Sequence, residues 1–389
     1  MKIAHVNYSF GNGGAGKAAK RVFESLKERT EHEIVFISIG EEDSKNINIA
    51  ESKILNFYYK LVAYFDLKIA SLFSNDVEIK SINLFPTTLA EFINKNNFDI
   101  VHFHWIGSGL ISIGQISQIK AKIFWTFHDQ WPILGMNHYE INPLKTKNNI
   151  QIKFENFLKA RKKAIANKIH VITPSKWLYQ EVMESDFNFA DVKCIPNIVP
   201  NSIYNEKALD VEDNFSELKS KKIVLFATMP SNEVNRKGGD YLIEIYQEVK
   251  KIDSSIDFLT IGASIDHEGI FSVPFIKDEN ELASIYAKVD LVAIPSRLDN
   301  LPNIGLESLF CGTRVIGFNV GGLSDIVLNE NFGSLIKFDD CTEFAKEIVK
   351  LINNQTDKKI VSELARQTWC EKKIINKVCA YYGISCIKK

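Results

Sequence analysis

PSRLDNLPNIGLESLFCGTRVIGF, residues 295–318, is the stretch that decides how this chain folds. Just ahead of it, VDLVAIP reads as a buried strand, and TRVIGF at its end opens the next one. Between them a tight polar loop runs into a helix, with Gly312 placed to cap its far end. Asp299 and Glu307, with seven residues between them, straddle the start of that helix. A helix start turns unpaired N–H groups outward and favours an anion. Two carboxylates beside it accept hydrogen bonds from hydroxyls. The stretch therefore reads as a site for an anionic, hydroxyl-rich ligand.

The same strand–loop–helix unit recurs along the chain. IAHVNY is a strand followed by the helical GKAAKRVFESLKER, and EIVFISI is a second strand. FDIVHFHW, AKIFWTFH, KIHVITP and VKCIPN are further short apolar runs, with TLAEFINKN and KWLYQEVMES as helices among them. After Asn197 the composition turns polar and strand-poor through NIVPNSIYNEKALDVEDNFSELKSKK, an interdomain connection. The cycle restarts with KIVLFAT, GGDYLIEIYQEVKK, IDFLTIG, ENELASIYAKV and DLVAIPS. Alternation of this kind predicts an α/β protein with parallel sheets, built as two Rossmann-like domains facing an interdomain cleft. The expected boundaries are 1–200, 201–365 and a helical end, 366–389, that crosses back to the first domain.

Length and composition agree. A chain of 389 residues favours two domains, each with its own core. A net charge of −1 gives no hint of a nucleic-acid partner. No apolar run is long enough to span a membrane, and no secretory signal precedes the first strand. The six cysteines show no metal-ligand spacing, which suits a reduced, cytoplasmic protein. Charge is uneven, however: residues 145–176 carry nine Lys or Arg against Glu155 alone. This stretch reads either as a solvated helix face or as a contact for anionic lipid. LNFYYKLVAYFDLKIASLF, residues 55–73, is aromatic and amphipathic; such a face usually packs on a core, and exposed it would mark an acceptor or membrane side.

Further candidates lie at strand ends. GNGGAGKAAK places Gly11, Gly13, Gly14 and Gly16 before a helix without matching the dinucleotide fingerprint. It is a ligand-approach loop or a plain tight turn. WTFHDQWPILGMNHY puts His128 and Asp129 after a strand, where the histidine can meet a hydroxyl or phosphate and change charge near neutral pH; a His–Asp pair bracing the loop is the alternative. His102 and His104 share one strand face without a third metal ligand at any recognisable spacing, so no metal is expected. One of them is expected to line the cleft and the other to be buried. Arg236 and Lys237, before a helix in MPSNEVNRKGGDYL, are placed to meet a diphosphate.

Together these residues resemble the retaining glycosyltransferases of family 4, which have the GT-B fold. Residues 299–307 match that family's E-x7-E signature, with Asp299 in place of the first Glu. DNLPN, ESLFCGTRVIGF and VGGLSDIV, with GGAGKAAKR and WTFHDQWP, are similar to the branch acting in bacterial capsule, O-antigen and exopolysaccharide assembly. The resemblance implies a nucleotide-diphosphate sugar donor, UDP- or GDP-linked, and no cofactor. Glu307 would hold the ribose and Asp299 the donor sugar. Asn300, Leu301, Pro302, Asn303 and Ile304, with Lys237 and Arg236, would hold the diphosphate. Phe275, Ile276 and Lys277 would flank the base. Gly13 and Gly14 would face the sugar from the other domain, with His128 catalytic beside it and His102, His104 and Asp129 on the acceptor side.

The implied chemistry is hexosyl transfer with retention, metal-independent, to a glycan or a polyprenyl-diphosphate-linked acceptor. It would run at the inner face of the membrane, reached through residues 145–176. Two departures stand out. Asp299 shortens the usual acid by about one methylene, and EINPLKTKNNIQ replaces a cysteine-rich segment often found after WPILGMNHY. A catalytically silent GT-B subunit that binds glycan or scaffolds a partner, and a GT-B epimerase or phosphorylase, are the competing readings.

Overall fold

The structure is a computed structural model that describes residues 1–39, 46–74, 78–141, 147–210, 222–227, 236–262, 265 and 267–387. Residues 229–235 of the stretch before Arg236, Lys145 at the start of the basic stretch, and residues 211–221 of the expected connection lie outside the described residues. The chain divides into two compact units, Met1–Ile198 with Lys372–Lys389, and Val199–Glu371.

The first unit holds a seven-stranded sheet. Its strands are β1 (Lys2–Val6), β2 (Glu33–Ser38), β3 (Asn46–Asn48), β4 (Ile100–Phe103), β5 (Lys122–Thr126), β6 (Ile169–Thr173) and β7 (Asp191–Cys194), in the order β3-β2-β1-β4-β5-β6-β7. Every pairing is parallel. Val101, Phe103, Trp125 and Val171 are buried with Ile93, Ile113 and Leu178 from the covering segments, as a parallel sheet sandwiched by helices requires. Strand order reverses between β1 and β4, and ligand sites in such sheets open beyond the strand ends at that reversal.

The second unit repeats the plan with six strands: β8 (Lys222–Ala227), β9 (Ile256–Ile261), β10 (Ile270–Val273), β11 (Leu291–Ile294), β12 (Arg314–Phe318) and β13 (Gly333–Ile336). They run parallel in the order β10-β9-β8-β11-β12-β13, reversing between β8 and β11. Phe226, Phe258, Ala293 and Phe318 pack against Ile245 and Ile348 from the helices Tyr241–Ile252 and Cys341–Asn353. Among the described residues, no helix is long and apolar enough to cross a membrane.

Two expectations need correction. The cysteines are not all reduced: Cys379 and Cys386 form a disulfide. The helix Glu371–Tyr382 ends at Gly383, whose φ of 77° lets the chain turn back, so that Ile384 N–H donates to the Cys379 carbonyl at 2.9 Å. The basic stretch is not one solvated cationic face. Lys162 points inward and is buried, Lys147 pairs with Glu155 at 2.8 Å, and Lys163 pairs with Asp186.

Candidate functional site

In the second unit, two loops lie against each other at the β8/β11 reversal. Gly238 has φ 73°, and a Cβ there would come within 1.9 Å of the Pro295 carbonyl oxygen, so only glycine permits this approach. The Arg297 N–H donates to the Arg236 carbonyl at 2.8 Å, and the Arg236 guanidinium donates to the Leu298 carbonyl at 3.1 Å. Both cations converge on one acid. Arg236 stands 3.4 Å from Asp299 Oδ1, and Lys237 Nζ donates to Asp299 Oδ2. The Asn300 N–H donates to Asp299 Oδ1 at 3.0 Å and the Gly322 N–H to the Asp299 carbonyl at 2.9 Å. Burial raises the pKa of Asp299, but Lys237 and Arg236 outweigh it and hold the carboxyl below its usual range. Asp299 is an ionised, fixed acceptor.

The helix Asn303–Phe310 begins directly after this cluster, and Pro302 at its N-cap offers no side-chain acceptor to its first turn. Glu307, in the second turn, is buried and accepts a hydrogen bond from the Tyr286 hydroxyl at 3.2 Å. Burial first, and then the charge of Glu307, push the Tyr286 pKa well up, so this hydroxyl keeps its proton. Tyr286 thus orients Glu307. On the line Phe275–Lys277, Phe275 and Lys277 are exposed and Ile276 is buried, just before the helix Glu279–Lys288.

The first unit gathers its candidates at the ends of β1, β4 and β5. Gly11 and Gly13 take left-handed φ values of 82° and 70°, turning the chain from β1 into the helix Gly13–Arg29, which Gly14 continues. Parallel register sets His5 beside His102, and His104 follows on the same face. His5 Nδ1 and His104 Nε2 lie 3.0 Å apart, and His104 Nδ1 and His128 Nε2 3.3 Å apart. His102 shares hydrogen bonds with Thr126 at 2.7 Å and with the Tyr382 hydroxyl at 2.5 Å. His102, His104 and His128 line one small pocket with Thr126, Ile172 and Ile374. Both strand histidines are buried and both reach this pocket, so the expected split between one lining and one buried residue does not hold.

Asp129 is engaged elsewhere. It pairs with His138 at 2.6 Å and accepts from the Trp131 N–H at 3.0 Å and the Trp105 indole at 3.2 Å. It braces the loop through His138, not through its neighbour His128. The expectation that His128 changes charge near neutral pH also fails. Burial lowers its pKa to about 4, despite an upward pull from Asp129, so it is neutral at pH 7.

A third histidine completes a metal-capable trio: donor atoms of His5, His102 and His104 all lie within 4.8 Å of one another. Sequence spacing could not show this, because His5 comes from a different strand. The His102 and His104 ring nitrogens already hydrogen-bond to Thr126, Tyr382, His5 and His128, so a metal would have to displace those partners.

These buried imidazoles make acid stability a direct test of the first unit. His5 is lowered to about 3 and His128 to about 4, mainly by burial, and His102 and His104 are lowered as well. Below pH 6.5 the unfolded chain therefore binds more protons than the folded one, and stability falls as pH falls from 6.5 toward 3. The melting temperature is expected to drop steeply over this window, and His5→Asn to flatten the drop. A wild-type profile that stays level from pH 7 to pH 4 would contradict the buried, neutral cluster.

Two parallel Rossmann-like sheets, each with a loop cluster at its strand-order reversal, place the chain in the GT-B class of folds. The model described as "Glycosyltransferase Family 4" matches residues 12–202, and that described as "Glycosyl transferases group 1" matches residues 220–354. The chain belongs to glycosyltransferase family 4. N-acetyl-alpha-D-glucosaminyl L-malate synthase of Bacillus anthracis is 21% identical, covering 95% of this chain and 92% of its own length. An uncharacterised protein in the cps region of Klebsiella pneumoniae is 24% identical over 72% of this chain and 75% of its own. Sucrose-phosphate synthase from Thermosynechococcus elongatus superimposes with a TM-score of 0.69 at 15% identity, covering 98% of both chains. Anabaena HepE, solved with UDP and glucose, gives 0.68 at 14% identity over 98% of this chain and 99% of its own, a likeness of fold.

Proposed function

We propose that this glycosyltransferase moves a hexose-type sugar from a UDP- or GDP-linked donor to a glycan or polyprenyl-diphosphate-linked acceptor, with retention and without a metal, in surface-polysaccharide assembly. The observation that carries the donor reading is the unequal dressing of the two carboxylates at one helix start. Asp299 is held by Lys237 and Arg236, and Glu307 by an uncharged tyrosine. An acid already neutralised by cations suits neutral sugar hydroxyls beside a diphosphate. A carboxylate oriented by an uncharged hydroxyl suits the diol of a ribose, which donates to it. HepE in complex with UDP-glucose supports the donor class, and the cps-region relative supports the polysaccharide setting.

In this reading Lys237 turns from Asp299 to the diphosphate as negative charge builds on the leaving group. The first-turn N–H dipoles of Asn303–Phe310 add to that stabilisation. Phosphate oxygen then accepts the acceptor's proton on the face the nucleotide leaves, so configuration is retained and no strong protein base is needed. Neutral His128 can accept a hydrogen bond from, or donate one to, a sugar hydroxyl without adding charge. A panel of UDP- and GDP-sugars, read as release of UDP or GDP in water, tests the proposal. Slow hydrolysis of at least one donor is expected, lost in Lys237→Ala. No release from any donor, with no nucleotide bound at millimolar concentration, would overturn it and leave the silent-subunit reading.

A further inference from the structure

Ser52 caps the 21-residue helix Lys53–Phe73 through the Leu55 N–H, and Tyr59, Val62, Asp66 and Ala70 hold it to the first unit. Phe73 stacks on Phe154 of the neighbouring helix Asn149–Ala166 at 3.9 Å. The opposite face is largely apolar and exposed. Ile54, Phe57, Leu61, Tyr64, Phe65 and Leu72 follow one another at helical spacing and all are exposed, Ile54 and Leu72 by 81% and Phe57 by 67%.

Charge on this helix is one-sided. Lys53, Lys60 and Lys68 are exposed, and Lys68 Nζ lies 5.6 Å from the Tyr64 ring centroid. The helix has one acid, Asp66, and it is buried, accepting the N–H groups of Ile82 at 3.1 Å and Asn83 at 2.7 Å. The surface continues onto the next helix, where Ile150 and Phe157 are exposed and Arg161 sits 5.7 Å from the Phe157 ring.

An apolar, aromatic stripe accompanied by three exposed lysines, on a helix whose other face is buried in protein, has the chemistry of an element lying in a membrane interface. We propose that the exposed face of Lys53–Phe73 seats this protein on an anionic bilayer, with the aromatic and leucine side chains in the headgroup–acyl boundary and Lys53, Lys60 and Lys68 against lipid phosphates. This helix, with Ile150 and Phe157 beside it, is the anchor, rather than the basic residues after 145 acting as one cationic face. Within that stretch Lys162 is buried, and Lys147 and Lys163 are in ion pairs with Glu155 and Asp186. The inference rests on the lipid-linked-acceptor reading for its purpose. Its test uses neither donor nor turnover, so the two can fail separately.

The test is co-sedimentation of the full chain with vesicles of equal parts phosphatidylglycerol and phosphatidylcholine, and with phosphatidylcholine alone. Binding to the anionic vesicles is expected, weakened by salt and much weaker on phosphatidylcholine. Phe57→Ser with Leu61→Ser removes two exposed apolar groups from the stripe and should weaken partitioning about tenfold or more. Lys60→Glu with Lys68→Glu should weaken it to a similar degree. Both double variants should keep the wild-type melting temperature and UDP release. Absence of vesicle binding, or binding that neither double variant changes, would overturn the proposal. So would a wild-type dimer on size exclusion that Phe57→Ser with Leu61→Ser converts to monomer, because the face would then be a self-interface.

Discussion

Glu307→Ala is expected to raise the Kd for UDP or GDP about a hundredfold. The buried carboxylate would accept two hydroxyl hydrogen bonds from a ribose, and each charge-assisted bond is worth about 1.5–3 kcal/mol. Lost affinity of about 3 kcal/mol corresponds to that factor. Tyr286 sharpens the expectation. Its hydroxyl fixes one oxygen of Glu307, so Tyr286→Phe should weaken nucleotide binding less than Glu307→Ala does, while leaving the fold intact. Asp299→Ala should behave differently. Its partners are Lys237 and Arg236, and the sugar is the part of the donor it would touch, so kcat should fall further than nucleotide affinity. Isothermal titration with UDP beside donor-hydrolysis kinetics separates the two. Equal loss of UDP affinity in both variants would contradict the division of roles.

Lys162→Met is expected to be the most damaging substitution outside the donor cluster. Lys162 Nζ donates to the carbonyls of Trp131 at 2.5 Å, Leu134 at 3.0 Å and Gly135 at 2.8 Å, and sits 4.0 Å from the Trp131 ring centroid. It closes the loop that carries His128 and Asp129. Gly135 fits so tightly there that a Cβ would come 2.7 Å from Glu155 Cβ. Burial drives the Lys162 pKa well below its ordinary value, while Asp129 and Asp66 pull it upward. Methionine fills much of the volume but leaves three carbonyls, two of them in buried bonds, without this donor, a cost of about 3–5 kcal/mol. The first thermal transition should fall by about 10 °C. Lys159→Met, on the same helix, serves as the control and should move it little. A Lys162→Met melt that tracks the control would show the three bonds to be unimportant.

The fold was legible because its signals are local. A parallel strand buried on both faces must be a short apolar run, and VHF, KIFWT, KIVLFA and LVAI all are. That Asp299 and Glu307 sit together was legible for the same reason: one loop and the first turns of one helix carry both. What the sequence hid are partners that meet only through the fold. Tyr382 reaches His102 across 280 residues, His5 comes from another strand, and Tyr286 approaches Glu307 from the preceding helix. A count of basic residues could not say that Lys162 faces inward, since that depends on a loop needing its carbonyls capped. Nor could it show that the apolar face of residues 55–73 is left uncovered, because amphipathic patterning marks a face without saying which side the protein covers.

A crystal structure of the chain with bound UDP-sugar or GDP-sugar tests whether Glu307 holds the ribose and Lys237 the diphosphate. The ribose diol is expected within hydrogen-bond distance of Glu307, the diphosphate at the start of the helix Asn303–Phe310, and Lys237 Nζ moved from Asp299 to a phosphate oxygen. A nucleotide bound with its ribose away from Glu307, or with Lys237 still closed on Asp299 and the helix start empty, would contradict that assignment.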